Sequence, residues 1–175
     1  MRSQNQQSDP LSMTQEELEA LYQNTLEAAA RQLSYRALSV SALRDKLLSR
    51  GYQENAVDYA LEYLQAHGFL NDMQYAESTV RSYQRRGYGK LRIQQELRRR
   101  GVDTAQAEAA MDCYEPDWET MEALLEKRLQ GDLSDRKEVN KAVAALQRRG
   151  FVWEDIRTAL NRYGASLEAE FDETL

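Results

Sequence analysis

The feature that most constrains this fold is an internal repeat of about fifty residues. Three segments line up: LRDKLLSRGY from Leu43, IQQELRRRGV from Ile93, and AVAALQRRGF from Ala142. In each copy a leucine lies four residues before a glycine, and the spacings between these glycines are 50 and 49 residues. Self-similarity at a fixed period of this length is typical of repeat proteins, in which each copy is one supersecondary unit. The sequence therefore predicts three tandem copies.

The pattern within a copy predicts helices and no strand. Leu43 and Leu47 share one helical face because they are four residues apart, and Gly51 supplies the left-handed conformation that commonly ends a helix. Apolar residues then recur at spacings of three and four over residues 57–64, which is typical of an amphipathic helix. Helices are expected at residues 14–36, 40–50, 54–67, 72–86, 89–100, 103–112, 117–130, 135–149 and 152–163.

The predicted architecture is all-α: three tandem three-helix repeats that form an elongated, curved rod, because neighbouring repeats must bury one another's flanks. Both ends of the chain lack a periodic apolar face and are expected to be disordered. The expected parts are a disordered N-terminal tail at 1–13, repeats at 14–68, 69–113 and 114–164, and an acidic C-terminal tail at 165–175.

Charge is distributed unevenly along the chain. The formal net charge is -6, yet residues 81–101 carry eight Lys and Arg against one carboxylate, while residues 51–80 carry five acids and no base. Many cations with few acidic partners repel one another, which is unfavourable unless an anionic partner compensates them. The alternative interpretation is that this basic face is only exposed to solvent and binds nothing. Charge and helical phase predict these contact residues for an anionic partner: Arg81, Arg85, Lys90, Arg92, Arg98 and Arg99, with Arg148 and Arg149 as a secondary group.

Other side chains favour packing over chemistry. Tyr83 fits the inward stripe of its helix, Trp118 and Trp153 are expected to be packing anchors, and His67 is expected to contact the last carbonyls of its helix. A single histidine, a single cysteine and no glycine-rich phosphate loop predict no metal, no cofactor and no enzymatic activity. No apolar stretch approaches a membrane span, and the polar start predicts a cytoplasmic protein.

Residues 68–102 resemble the signature of the RecX regulatory family. The matching residues are Gly68, Phe69, Leu70, Asn71, Asp72, Tyr75, Ala76, Gly89, Arg92, Ile93, Glu96, Leu97, Gly101 and Val102. The first copy also matches, at Ser39, Leu43, Lys46, Leu47 and Gly51. Ala42 departs from the pattern, which usually has Glu there. The resemblance covers residues 36–111 well and the third copy loosely.

The resemblance implies a curved rod of three-helix units that regulates the RecA recombinase, usually by inhibition, within DNA repair and the SOS response. Such a protein lodges in the groove of the RecA filament on single-stranded DNA, and contacts that DNA mainly through the filament. Binding would block ATP turnover and strand exchange or promote disassembly without a catalytic residue. The chain is expected to act as a monomer.

Two alternatives remain open from the sequence. Three-helix units could bind duplex DNA directly, which predicts tight binding without a recombinase. A helical scaffold could instead bind an unrelated protein on its concave surface.

Overall fold

The computed structural model describes the backbone of residues 13–172 and the side chains of residues 13–164. This part of the chain contains nine α-helices, one short 3₁₀ turn at Met111–Cys113 and no strand. The all-α prediction of three helices per copy is therefore confirmed. The helices are α1 Gln15–Tyr35, α2 Val40–Leu48, α3 Glu54–Ala66, α4 Asp72–Gln84, α5 Lys90–Arg99, α6 Thr104–Ala110, α7 Trp118–Leu129, α8 Arg136–Arg148 and α9 Trp153–Asp172.

The last helix is longer than predicted. α9 continues to Asp172, so the predicted helix end at residue 163 is wrong. The reason is composition: after Gly164 the chain reads ASLEAEF, which is rich in good helix formers and contains no proline. The rest of the predicted tails, residues 1–12 and 173–175, lies outside the described residues.

Side-chain caps fix where two of the helices begin. The Thr14 hydroxyl accepts from the Glu17 N–H at 3.3 Å, and the Glu17 carboxylate accepts from the Thr14 N–H at 2.8 Å. This reciprocal pair satisfies two N–H groups at the start of α1, which otherwise have no intrahelical partner. At the start of α4, the Asn71 side chain accepts from the Gln74 N–H at 3.0 Å. Both helix starts match the prediction.

The chain divides into two compact units. Unit one runs up to Tyr75 and includes the turn Arg100–Val102, and unit two contains Ala76–Arg99 and the chain from Asp103 onwards. The division falls inside the second predicted repeat, because the turn after α5 packs with unit one. The limits of the repeats and the curved-rod shape stay predictions.

The core of unit one lies between α1, α2 and α3. Leu43 and Leu47, the repeated leucines of the first copy, are fully buried against apolar residues of α3 such as Leu61. Ala28 and Ala29 present small side chains from α1, which lets the helices approach closely. Burying a leucine contributes about 1.5–3 kcal/mol, so the repeated leucines are structural.

The third copy has an equivalent core within unit two. Met121 and Leu125 of α7, Leu146 of α8 and Ile156 of α9 are fully buried in one cluster. Trp118 packs partly buried against this cluster, as predicted for an anchor. The same prediction for Trp153 is wrong, because its side chain is 55% exposed at the start of α9.

Candidate interaction surface

Backbone hydrogen bonds join the start of α5 to the glycine turn after α8. The Gly89 N–H donates to the Arg149 carbonyl at 2.9 Å, and the Leu91 N–H donates to the Gly150 carbonyl at 2.9 Å. Gly150 has φ +86°, and a Cβ there would overlap the backbone nitrogen of Arg92. A glycine is required because the left-handed conformation and the close approach both exclude a larger residue. This joint brings the end of α8 beside the first turn of α5.

Unit one contains the same joint one copy earlier. The Ser39 hydroxyl, which caps α2 by accepting from the Ala42 N–H, donates to the Arg100 carbonyl. A Cβ at Gly101 would lie 2.6 Å from the Ser41 hydroxyl oxygen. The Asp72 carboxylate also accepts from an N–H in this first turn of α2. Ser39, Gly101 and Asp72 therefore belong to a structural joint and not to a binding surface.

Asp72 makes this joint sensitive to pH. Its carboxylate accepts from the Val40 N–H at 2.8 Å. Burial raises the pKa of the Asp72 carboxyl, and the Val40 hydrogen bond opposes that shift. Because the folded protein holds the proton more tightly than the unfolded chain, this group stabilises the fold most at acid pH. That contribution is lost as the pH rises through the folded-state pKa.

We therefore expect Asp72→Asn to flatten the pH dependence of stability. The amide keeps an acceptor for the Val40 N–H but carries no charge that burial disfavours. Urea unfolding at about pH 4 and pH 7 measures the effect: relative to the Asn variant, the wild type should lose stability at the higher pH. Asp72→Ala, which also removes the acceptor, should be about 1 kcal/mol less stable than Asp72→Asn at both pH values. An unchanged difference between wild type and Asn variant would contradict this assignment.

All eight predicted contact residues lie in unit two. Arg149 is half-buried and the other seven have exposed side chains. The side chains come from the second half of α4 and the turn that follows it, from α5, and from the end of α8 and the residue after it: Arg81 and Arg85; Lys90, Arg92, Arg98 and Arg99; Arg148 and Arg149. The structure thus brings the secondary group beside the start of the α5 group through the Gly89–Gly150 joint.

Two of these arginines have acidic partners within their own helices. Arg81 pairs with Glu77 at 2.7 Å, one helical turn earlier. Arg99 donates two hydrogen bonds to Glu96, at 2.9 and 2.6 Å, and the Glu96 side chain is only 6% exposed. The sequence predicted few acidic partners for this stretch, and the structure shows them at these two positions. Glu77 lies just before the basic stretch at residues 81–101, and Glu96 is the single carboxylate within it.

The remaining cations differ in how much they are compensated. Arg85, Arg98 and Arg148 form no ion pair with any side chain in residues 13–164. Arg92 donates to the Gln95 side chain at 3.2 Å, which leaves its charge unneutralised. Lys90 lies near Asp155, whose charge compensates it in part. The least compensated positive charge of the site is therefore at Arg85, Arg92, Arg98 and Arg148.

The surroundings of Lys90 also hold two groups with shifted pKa values. Burial raises the pKa of the Asp155 carboxyl, neighbouring Glu154 adds to the shift, and Lys90 opposes it. Burial raises the pKa of the Tyr114 hydroxyl, with a further contribution from the charge of Asp155, while the Lys90 backbone N–H lowers it. Tyr114 therefore keeps its proton at neutral pH and packs as an uncharged ring.

A cluster of rings and guanidinium groups borders the joint. The Arg86 guanidinium lies 4.9 Å from the ring centre of Tyr83 and 5.4 Å from that of Tyr88. Arg149 donates to the Gly87 carbonyl at 3.1 Å and lies 6.0 Å from the Tyr88 ring. Tyr83 is half-buried, so its predicted place in the inward stripe is only partly right. Arg86 was not predicted, although its position between two tyrosines could have indicated a cation–π contact.

Other kinds of site find no support in this part of the chain. Among the described residues, no group of three or more His, Cys, Asp or Glu side chains is placed to hold a metal ion. The described helices include none with both the length and the apolar character needed to span a membrane. The His67 Nδ1 atom lies 2.8 Å from the Tyr63 carbonyl, which confirms its predicted contact with the end of α3.

These observations define a class, namely all-helical proteins of tandem three-helix repeats. Three family models match successive parts of the chain: the first three-helix domain of RecX at residues 26–64, the second at 71–111 and the third at 115–160. The chain therefore belongs to the RecX family of regulatory proteins, and the resemblance found in residues 68–102 is confirmed.

Related sequences and a crystal structure agree with this assignment. Regulatory protein RecX of Vibrio parahaemolyticus is 36% identical over 137 residues, which cover 77% of this chain and 88% of that protein. Regulatory protein RecX of Halorhodospira halophila is 38% identical over 135 residues, covering 76% and 84%. The crystal structure of RecX from Lactobacillus salivarius superimposes with a TM-score of 0.77 at 27% identity, covering 83% of this chain and 97% of that one.

Proposed function

We propose that this protein is a cytoplasmic, monomeric regulator that binds the RecA recombinase filament on single-stranded DNA and inhibits its ATPase and strand-exchange activities. Membership of the RecX family supports the regulatory role. The proposed binding site rests on one observation: the cations on α4, α5 and the end of α8 are exposed and have few acidic partners. A filament on DNA offers both acidic protein side chains and phosphates to such a surface.

Inhibition in this proposal needs no catalytic group. A protein that occupies the filament groove excludes a second DNA strand from it and restricts the movements that accompany ATP turnover. Binding free energy then comes from shape and charge alone. The electrostatic part of it weakens with salt, because each phosphate contact releases condensed counterions.

The eight predicted residues do not contribute equally in this proposal. Arg85, Arg92, Arg98 and Arg148 provide the strongest contacts, and Lys90 contributes beside Asp155. Arg81 and Arg99 must exchange an internal partner for an external one, so we assign them smaller contributions. Arg149 already donates to the Gly87 carbonyl, and its main role is to hold the joint.

The direct test adds the purified chain to RecA on single-stranded DNA and follows ATP hydrolysis and filament length. We expect inhibition at or below about micromolar concentration, which is the usual range for a specific regulatory contact. Raising the salt concentration should weaken the inhibition. A chain that alters neither ATP hydrolysis nor filament length at micromolar excess would contradict the proposal.

One observation favours direct nucleic-acid binding as a second candidate function. The Tyr83, Arg86 and Tyr88 side chains combine a cation with ring faces, and base stacking on such groups contributes about 1–3 kcal/mol per base. Fluorescence anisotropy with single-stranded and duplex DNA, without RecA, separates the two candidates. The preferred function predicts much weaker binding to naked DNA than to the filament. Tight duplex binding would favour the second candidate.

A further inference from the structure

Unit one has an open apolar groove that is separate from the basic residues of unit two. The groove lies between α1 and the end of α3 and has a volume of about 500 Å³. Leu26, Ala30 and Leu33 line it from α1, and Tyr63 and Phe69 line it from the other side. The volume lies within the range of pockets that bind ligands or anchoring side chains.

The aromatic residues of the groove are exposed and held in place. Phe69 is 69% exposed, yet its N–H donates to the Leu64 carbonyl at 2.8 Å in the turn that ends α3. The Tyr63 ring stacks on the His67 ring, with centres 4.0 Å apart. Large apolar groups that stay exposed in a fixed position are typical of interaction sites. The backbone that carries both rings is therefore ordered before a partner binds, which lowers the entropic cost of binding.

The helices that border the groove are strongly acidic. Together α1 and α3 contain seven carboxylates against one arginine, Arg31. Arg44 of α2 neutralises two of these carboxylates, Glu54 and Asp58. The others include Glu27 on α1 and Glu62 on α3, and the resulting negative potential repels phosphates and attracts cations. A nucleic acid is therefore an unfavourable occupant of this groove.

We propose that the groove is the docking site for a basic amphipathic helix of a partner protein. One or two apolar side chains of that helix enter between Ala30 and Phe69, and its lysines or arginines meet the carboxylates of α1 and α3. Binding of a helix through apolar anchors in a groove between helices is a recurrent mode of recognition. This surface is distinct from the cations of the proposed function and adds a second contact to the protein.

The test uses the full chain and a fluorescent synthetic peptide of about 18 residues, or five helical turns, built from leucine on one face and lysine on the other. Fluorescence anisotropy should give a dissociation constant of about 1–100 µM that rises with salt. A peptide with glutamate in place of lysine should not bind measurably. A leucine–lysine peptide of scrambled order, which lacks one apolar face, should bind at least about tenfold more weakly.

Variants locate the binding in the groove. Phe69→Ala removes an exposed anchor without touching the core, and Ala30→Trp fills the groove. Each substitution should therefore weaken binding of the leucine–lysine peptide by about tenfold or more. Glu27→Lys combined with Glu62→Lys should weaken it about fivefold and reduce its salt dependence. Tyr35→Ala is the matched control, because Tyr35 is a 77% exposed aromatic residue outside the groove. It should bind the peptide like the wild type.

Four results would overturn the proposal. The first is equal affinity of wild type and Phe69→Ala for the leucine–lysine peptide, given unchanged circular dichroism. The second is equal affinity for the lysine and glutamate peptides. The third is a dimer in sedimentation velocity that Phe69→Ala abolishes, which assigns the groove to a second copy of this chain. The fourth is peptide binding that occurs only after deletion of residues 1–12, which assigns the groove to the chain's own N-terminal segment.

Discussion

Replacing Arg85, Arg98 and Arg148 together with glutamate should weaken inhibition of the RecA ATPase by about fivefold to a hundredfold. Each exposed contact to an acidic side chain or phosphate is worth about 1 kcal/mol or less, and three reversals combine to this range. These three side chains form no ion pair among the described residues, so their reversal leaves no buried charge unpaired. A titration of inhibitor against ATP hydrolysis at two salt concentrations measures the loss.

A matched variant separates a specific surface from net charge. Arg31, Arg36 and Arg50 are exposed arginines of unit one, and reversing them changes the net charge by the same amount. This control should change inhibition by less than about twofold, as expected for charges outside the contact. Equal losses in the two triple variants would refute the assignment of the site to α4, α5 and α8. Unchanged inhibition and unchanged salt dependence in the first variant would refute it as well.

Gly150→Ala should lower the free energy of unfolding by about 3 kcal/mol. A left-handed conformation costs a residue with a Cβ about 1–2 kcal/mol. Overlap with the backbone of Arg92 adds about 1–3 kcal/mol, because the joint must shift to relieve it. Urea unfolding followed by far-UV circular dichroism and by tryptophan fluorescence measures the effect. The two tryptophans, Trp118 and Trp153, both lie in unit two with the joint.

Gly51 offers the matched control for this substitution. Its φ is +88°, close to that of Gly150, but no described atom would lie within 4 Å of an added Cβ. Gly51→Ala should therefore show only the conformational cost of about 1–2 kcal/mol. Equal losses at the two glycines would mean that the approach between Gly150 and Arg92 does not stabilise unit two.

The repeat pattern predicted the helices because the relevant forces are local. Leucines four residues apart and a following glycine determine a helix and its end wherever they occur, and the burial of Leu43, Leu47 and Leu97 bears this out. The end of α9 was missed for a related reason. An apolar stripe was used to define helices, and residues 165–172 continue the helix through composition alone.

The candidate site was predictable in position and only partly in chemistry. Helical phase placed Arg92 and Arg98 outward because α5 has a single buried face. Helical phase could not reveal the hydrogen bonds between the start of α5 and the turn after α8, because Gly89 and Arg149 lie sixty positions apart in the sequence. Nor could it show that Arg149 uses its donors internally. Such contacts depend on tertiary packing, which a repeat period does not specify.

The repeated joint gives the array a direction. In the first two copies, the start of the second helix of the copy is hydrogen-bonded to the glycine turn of the copy that follows. Ser39, before α2, bonds to the turn at Gly101, and Gly89, before α5, bonds to the turn at Gly150. The middle helix of the third copy instead begins at Asp135, whose side chain accepts from the Lys137 and Glu138 N–H groups. Each joint ties two copies together, so a Cβ at Gly101 or Gly150 would disturb both the copy that holds the glycine and the copy before it, where Ser41 or Arg92 lies against it.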